Sequence, residues 1–201
     1  PTRALTAEEL TAMRAGLSAQ SSGTALAPAA VSTATDELPV MGEAGEFALI
    51  DQTGAAFSSA SLDGKIYVVD FFFTSCSSVC PVMSASMAQL QREFTAEPRV
   101  EFVSVSVDPV TDKPEVLDRY AKRFSADPLR WHFLTGEDAA IQTLAKDQFK
   151  LGNADQPLNH DTHFVLVDGN GQIRGYYFGT ETASIAALSK DIARLLGEPA
   201  S

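Results

Sequence analysis

The sequence predicts an α/β fold: a central mixed sheet, parallel in its crossover part, with helices on both faces and an N-terminal hairpin. Three observations carry this. Ile66 to Phe73 and Val100 to Val107 are near-continuous apolar runs rich in β-branched and aromatic residues, the pattern of strands buried on both faces. Segments with helical spacing follow each of them and recur over Glu137 to Phe149. Hairpin signals stand at either end of this alternation.

Taken in order, Thr6-Ala-Glu-Glu9 has capping-box spacing, and Leu10, Met13 and Leu17 form a narrow apolar stripe, so a short helix is expected. Ser18 to Thr35 is rich in Ala, Ser and Thr and reads as a linker. Residues 1–37 are thus expected to be a tail, and 38–197 a folded domain. Phe47 to Ile50 and Ala55 to Ser58 flank the turn Asp51-Gln-Thr-Gly54 as a hairpin. The first central strand then leads through the cysteines into a helix ending near Phe94. After the second central strand, Pro114 opens a helix to Phe124, with Val116, Leu117, Tyr120 and Phe124 at helical spacing. Trp131-His-Phe-Leu134 is a short strand, and Glu137 to Phe149 a helix with Ile141, Leu144 and Ala145 inward. Phe164 to Val167 and Ile173 to Phe178 are strands joined by Asp168-Gly-Asn-Gly171, and Thr182 to Leu196 is the last helix. This order is of thioredoxin-like type.

The 201 residues suffice for one domain with a full core plus a tail, and 45% hydrophobic with 20% charged residues suits an α/β domain. A net charge of −11 argues against nucleic acid as a partner. No run approaches the roughly 20 apolar residues that span a bilayer. The chain begins at Pro1, so the expectation is a processed or truncated product whose signal peptide or anchor has been removed. Two cysteines make no disulfide framework and suit a redox or metal pair.

Both cysteines fall where the first central strand turns into its helix, as Cys76-Ser-Ser-Val-Cys80. Cys76, Cys80, Met83, Met87, Leu90 and Phe94 follow steps of four and three, one helical stripe facing the core. Cys80 is expected to be the buried thiol and Cys76 the exposed one. The helix N-terminus there favours thiolate. Pro81 is tolerated in the first turn, whose N–H groups lack intrahelical partners. Two thiols at i and i+4 can form a disulfide or hold one soft metal ion, Cu(I) or zinc. The plain alternative is two cysteines acting as small core hydrophobes. Met83 and Met87 are expected to pack in the core rather than bind metal.

A copper site needs a further ligand, and the histidines are His132, His160 and His163. Alternation sets His132 opposite Trp131 and Phe133, as a surface-facing residue. His160 and His163 bracket the entry to the strand at Phe164, which a thioredoxin-like sheet sets beside the cysteine turn. The residues alone leave open which of the two completes a Cys₂His site.

Four blocks together resemble the Sco/SenC family of copper-binding, thioredoxin-fold assembly proteins. Phe71-Phe-Phe-Thr-Ser-Cys-Ser-Ser-Val-Cys-Pro-Val-Met83 is similar to that family's cysteine motif. Ser106-Val-Asp-Pro109 with Asp112 and Pro114, Trp131-His-Phe-Leu-Thr-Gly136, and Asn159-His-Asp-Thr-His-Phe-Val-Leu-Val-Asp168 with Gly171 and Gly175-Tyr-Tyr177 resemble its later blocks. The resemblance covers about Leu38 to Leu196. It implies copper, as Cu(I) or Cu(II), held by Cys76, Cys80 and His160, with Asp108 in support and His163 at a position where the family varies. Asn159 stands where the family often has Asp, which bears on the hydrogen bond orienting the imidazole.

The resemblance further implies a metallochaperone rather than an enzyme, helping to assemble the binuclear copper site of cytochrome c oxidase. Its expected partners are the copper-bearing oxidase subunit and other copper chaperones or thiol reductants. The expected location is the periplasmic or intermembrane-space side, through a membrane anchor absent from this sequence. Two rival readings stand beside it. One is a thiol–disulfide reductase with Cys76 attacking and Cys80 resolving. Against it stand the three-residue spacer and the lack of a Pro near Thr162. The other is a redox or copper sensor that docks through the Leu10/Met13/Leu17 stripe.

Overall fold

The computed structural model describes residues 37–152 and 161–197. The short helix and linker expected before Asp36, and His160, lie outside the described residues.

In chain order the elements are β1 (Gly42–Glu43), β2 (Ala48–Asp51), β3 (Ala56–Ser58), a 3₁₀ turn (Ser59–Leu62), β4 (Ile66–Phe72) and α1 (Val79–Glu93). Then come β5 (Val100–Ser106), α2 (Pro114–Arg123), β6 (Trp131–Thr135), α3 (Asp138–Thr143) and a π turn (Leu144–Gln148). β7 (His163–Val167), β8 (Gln172–Phe178) and α4 (Thr182–Gly197) complete the set. The strands form one mixed sheet in the order β1-β8-β7-β4-β5-β6-β2-β3.

The two strands read as central are central. All seven residues of β4 and all seven of β5 are buried, and the pair runs parallel from Ile66↔Val100 to Phe72↔Ser106. β6 extends the parallel part on the far side of β5, while β7 runs antiparallel to β4 and pairs Val69 with Val165. The start of β7 therefore lies beside the end of β4 that leads to the cysteines.

Each face of the sheet has its own core. On one face Val68, Phe72, Phe102 and Trp131 pack with Met83, Met87 and Leu90 of α1, Leu117 of α2 and Leu188 of α4. On the other, Val69, Val103, Val105 and Val165 pack with Leu49 and Phe57 of the β2–β3 hairpin and with Ile141, Leu144 and Phe149. Alternation along β4 and β5 generates both faces.

Three details depart from the sequence reading. The two-residue β1 joins the free edge of β8 through Gly42↔Ile173, with Met41 N–H donating to Ile173 O at 2.8 Å; two residues carry no periodic signal. The helix expected over Glu137 to Phe149 gives way at Leu144 to a π turn. That turn widens the helix, so Leu144, Ala145 and Phe149 all reach the second core. His132 is half-buried rather than fully at the surface. It does point away from Trp131 and Phe133, but the β2–β3 hairpin covers that face: its ring lies 4.7 Å from Phe57 and Nε2 is 3.1 Å from Glu101 Oε2.

Candidate metal centre

Strand β4 stops where burial on both faces stops. Phe73 and Thr74 are half-buried, Ser75 is exposed, and Cys76 N–H closes a tight turn onto Phe73 O at 3.2 Å. Ser77 and Ser78 are exposed, and α1 begins at Val79.

The start of α1 is capped in an unusual way. Ser78, at the N-cap position, makes no side-chain cap bond. Instead, Cys80 N–H donates to Cys76 Sγ at 3.5 Å, so a cysteine sulfur stands where a capping oxygen would. Cys76 Sγ also lies 3.8 Å from Ser78 Oγ.

Cys80 is 3% exposed and faces the α1 core with Met83 and Met87, whereas Cys76 is half-buried at the rim. Their acidities diverge accordingly. Burial alone would raise the Cys76 thiol, but hydrogen bonds from Cys80 and Ser78 together outweigh it and bring it down to about 7. Burial, then the hydrogen bond to Cys76, push the Cys80 thiol up to about 12. Near neutrality the pair is thus one accessible sulfur, largely or partly thiolate, and one protonated sulfur beneath it. The first is a nucleophile and a ready ligand; the second becomes a ligand when something displaces its proton.

Among the described residues, no further His, Cys, Asp or Glu joins the two cysteines in a cluster able to hold a metal ion. His160, implied as the third ligand, lies outside those residues. His163 is described, and it turns away. It opens β7, whose alternation sends Phe164 and Leu166 into the α1 core and His163, Val165 and Val167 to the opposite face. There its ring packs 4.6 Å from Phe178, and Nδ1 is 2.9 Å from Asp161 Oδ1. His132 is the second residue of β6, paired with Val103 in the middle of β5 and with its ring on Glu101, on the face away from the α1 core. Asp108 acts within its own loop: its Oδ1 accepts from Thr111 N–H at 3.2 Å and its N–H donates to Ser106 Oγ at 3.1 Å.

Two carboxylates at the site were given no role by the sequence reading, although Asp112 stands in one of the four family-like blocks. Asp70 lies within β4 at 1% exposure, on the α1 side of the sheet, and accepts from Ser104 Oγ at 2.6 Å. Ser104 Oγ in turn accepts from Trp131 Nε1 at 2.9 Å. Burial pushes the Asp70 carboxyl up to about 7, against the hydrogen bond from Ser104. A lone charge inside a strand buried on both faces was the available signal. Asp112, fully buried, accepts from Thr74 N–H at 2.9 Å, from Thr74 Oγ1, and from Ser106 Oγ at 2.5 Å. Its partner is 38 residues away in sequence, and no local pattern announces the contact.

A mixed sheet of this order with a thiol pair at the strand-to-helix turn places the chain in the thioredoxin-like class, and solved structures of that class superpose on it. More narrowly, the chain belongs to the SCO1/SenC family: the model of that family matches residues 35–197. Its relatives of known structure include a SCO1/SenC family lipoprotein from Bacillus anthracis str. Ames. That protein is 36% identical with a TM-score of 0.69, the match covering 77% of this chain and 95% of that one. BsSco, described as a member of the Sco family of cytochrome c oxidase assembly proteins with a disulfide switch, is 32% identical. Its TM-score is 0.70, with coverage of 79% and 96%. ScoI of Bradyrhizobium japonicum, solved with copper bound, is 25% identical with a TM-score of 0.62 and coverage of 76% and 99%.

Proposed function

We propose that this chain is a copper metallochaperone that binds copper through Cys76, Cys80 and His160 and serves assembly of the copper site of cytochrome c oxidase. The observation that carries the reading is the unequal thiol pair at the start of α1, with a low-lying accessible sulfur four residues before a buried one. Two soft sulfurs suit Cu(I), and an imidazole adds a borderline nitrogen that also tolerates Cu(II). Support comes from relatives: one family member is solved with copper bound, and another is described as a cytochrome c oxidase assembly protein.

Copper is cargo in this reading. Cys76 engages first, since it needs little deprotonation near neutral pH, and Cys80 follows with release of its proton. Oxidation to a Cys76–Cys80 disulfide would remove two ligands at once, so loading requires both thiols reduced. Residues 1–37 would tether the domain over 38–197 to a membrane outside the cytoplasm. The description of one relative as a lipoprotein supports that arrangement. No helix among the described residues is long and apolar enough to cross a membrane.

The same unequal pair also favours a second reading, a thiol–disulfide reductase in which Cys76 attacks and Cys80 resolves. One experiment separates them: anaerobic Cu(I) titration of the reduced protein against a competing chelator, with Cys76→Ser, Cys80→Ser, His160→Ala and His163→Ala alongside. One tight equivalent is expected, weakened in the first three variants and unchanged in His163→Ala. Weak binding indifferent to His160, together with turnover in a disulfide-reduction assay, would overturn the chaperone reading in favour of the reductase.

A further inference from the structure

Asp112 has no exposed surface, and it lies in the loop between β5 and α2 rather than on the cysteine turn. A buried carboxylate is unfavourable unless its oxygens are satisfied, and these are satisfied by three donors, none of them a cation. Two of the three come from one residue. Thr74 gives its backbone N–H to one carboxylate oxygen and its hydroxyl to the other, while Ser106 Oγ, from the last residue of β5, shares the first oxygen. A two-point grip on a single residue fixes orientation as well as position.

Thr74 stands between the end of β4 and Cys76, two residues before the thiol. Beyond it the chain is loosely held: Ser75, Ser77 and Ser78 are exposed, and Ser78 leaves the helix start without a side-chain cap. Between the cysteine turn and the β5–α2 loop, the described hydrogen bonds from residues 73–78 all run to Asp112. Behind it, Ser106 Oγ accepts from Asp108 N–H, and Val107 N–H donates to Phe72 O at 2.8 Å. The grip thus connects the cysteine turn to the rigid ends of the two central strands.

We infer that Asp112 is a positioning residue for the thiol pair. By clamping Thr74, its carboxylate sets where Cys76 Sγ sits relative to Cys80, and so how readily the two sulfurs act together, whether closing on one metal ion or on each other. It touches neither sulfur. The part of this inference that concerns copper rests on the chaperone reading; the part that concerns sulfur–sulfur proximity does not.

The test uses the whole chain and two readouts. The first is metal-free: equilibrium with a glutathione redox buffer, in which two protein thiols give two electrons and two protons to oxidised glutathione, forming the Cys76–Cys80 disulfide and two reduced glutathiones. The second is Cu(I) affinity. Asp112→Asn keeps the volume but exchanges one acceptor oxygen for an NH₂ donor facing other donors. It should lower the tendency to close the disulfide by about tenfold, as lost proximity does, and weaken Cu(I) by about tenfold. Thr74→Ser, which keeps both donors, should behave as wild type. Thr74→Val, which loses the hydroxyl, should move both readouts in the same direction as Asp112→Asn. Asp168→Asn is the control: it breaks the buried pair between Asp168 Oδ2 and Arg174 (2.6 Å), past the other end of β7, and should lower Tm while leaving both readouts alone.

Wild-type glutathione equilibria in both Asp112→Asn and Thr74→Val would overturn the inference, as would an equal shift in Asp168→Asn. Should Asp112→Asn fail to fold, Thr74→Val decides alone. A wild-type protein without Cu(I) affinity would sink the chaperone reading and leave the glutathione result standing as the test of Asp112.

Discussion

At the scale of single residues, the site is governed by what lies under the sulfurs. Cys80 faces a dry core, which keeps its proton, and Cys76 sits among N–H and O–H donors, which favour giving it up. Asp70 shares that dry side of the sheet, and its charge contributes to keeping the Cys80 thiol high. The carboxyl carries its own consequence for stability. Folded, it holds its proton up to about 7, whereas the ordinary carboxyl releases it at 3.8. The folded state therefore binds the extra proton between those values, and stability falls as pH rises through that window. Asp70→Asn abolishes this titration. Its Tm gain over wild type should be larger at pH 8 than at pH 5 in a series of thermal melts, and equal gains would mean that Asp70 ionises normally.

At the scale of elements, the strands and helices that bury a face were legible and the ones that bury little were not. The apolar runs of β4 and β5, the stripe of α1 and the Asp168–Gly171 turn announce themselves by periodicity or turn chemistry. The two residues of β1 do not, because their partner strand is remote in sequence, and the π turn after Thr143 continues the helical spacing without a break that marks it. The covering of His132 by the hairpin is of the same kind: alternation gives the direction of a side chain, not what waits there. The cysteine pair and its order of burial could be read from the spacing of its stripe. The Asp112–Thr74 contact could not, since it joins two loops. One close approach ties these elements together below the site. A Cβ on Gly179 would lie 2.9 Å from the buried Phe164 ring and 3.2 Å from Met83 Cγ, so β8's exit, β7 and α1 meet there without spare room. Gly179→Ala should cost about 1–3 kcal/mol in urea unfolding, as overpacking does. Gly197→Ala, where nothing lies within 4 Å, serves as the neutral comparison.

At the scale of the whole molecule, the site sits at one end of a continuous eight-stranded sheet, where β4, β5 and the start of β7 converge. The family match begins at residue 35, and the core clusters begin at Leu38. The tail ahead of them is proposed as a tether, with no ligand role. Removing residues 1–35 should therefore leave Cu(I) affinity unchanged in the chelator competition; a weaker site in the shortened chain would assign the tail a part in binding. Net charge bears at this scale only as an expectation against nucleic acid, while family membership rests on the match of the SCO1/SenC model over residues 35–197.

On the proposed chaperone reading, the sulfur that closes the first turn of α1 has a further consequence, since a carrier must let go of its cargo. A ligand atom with no alternative partner is left bare when its metal departs, and that raises the barrier to departure. Cys76 Sγ has a resident partner in the Cys80 N–H at 3.5 Å. As copper leaves for an acceptor, the vacated sulfur can fall back onto that N–H, so each step of transfer exchanges one contact for another. In the proposed site, the helix end works as a parking place for the thiolate, which would speed hand-over to an acceptor without requiring weak binding.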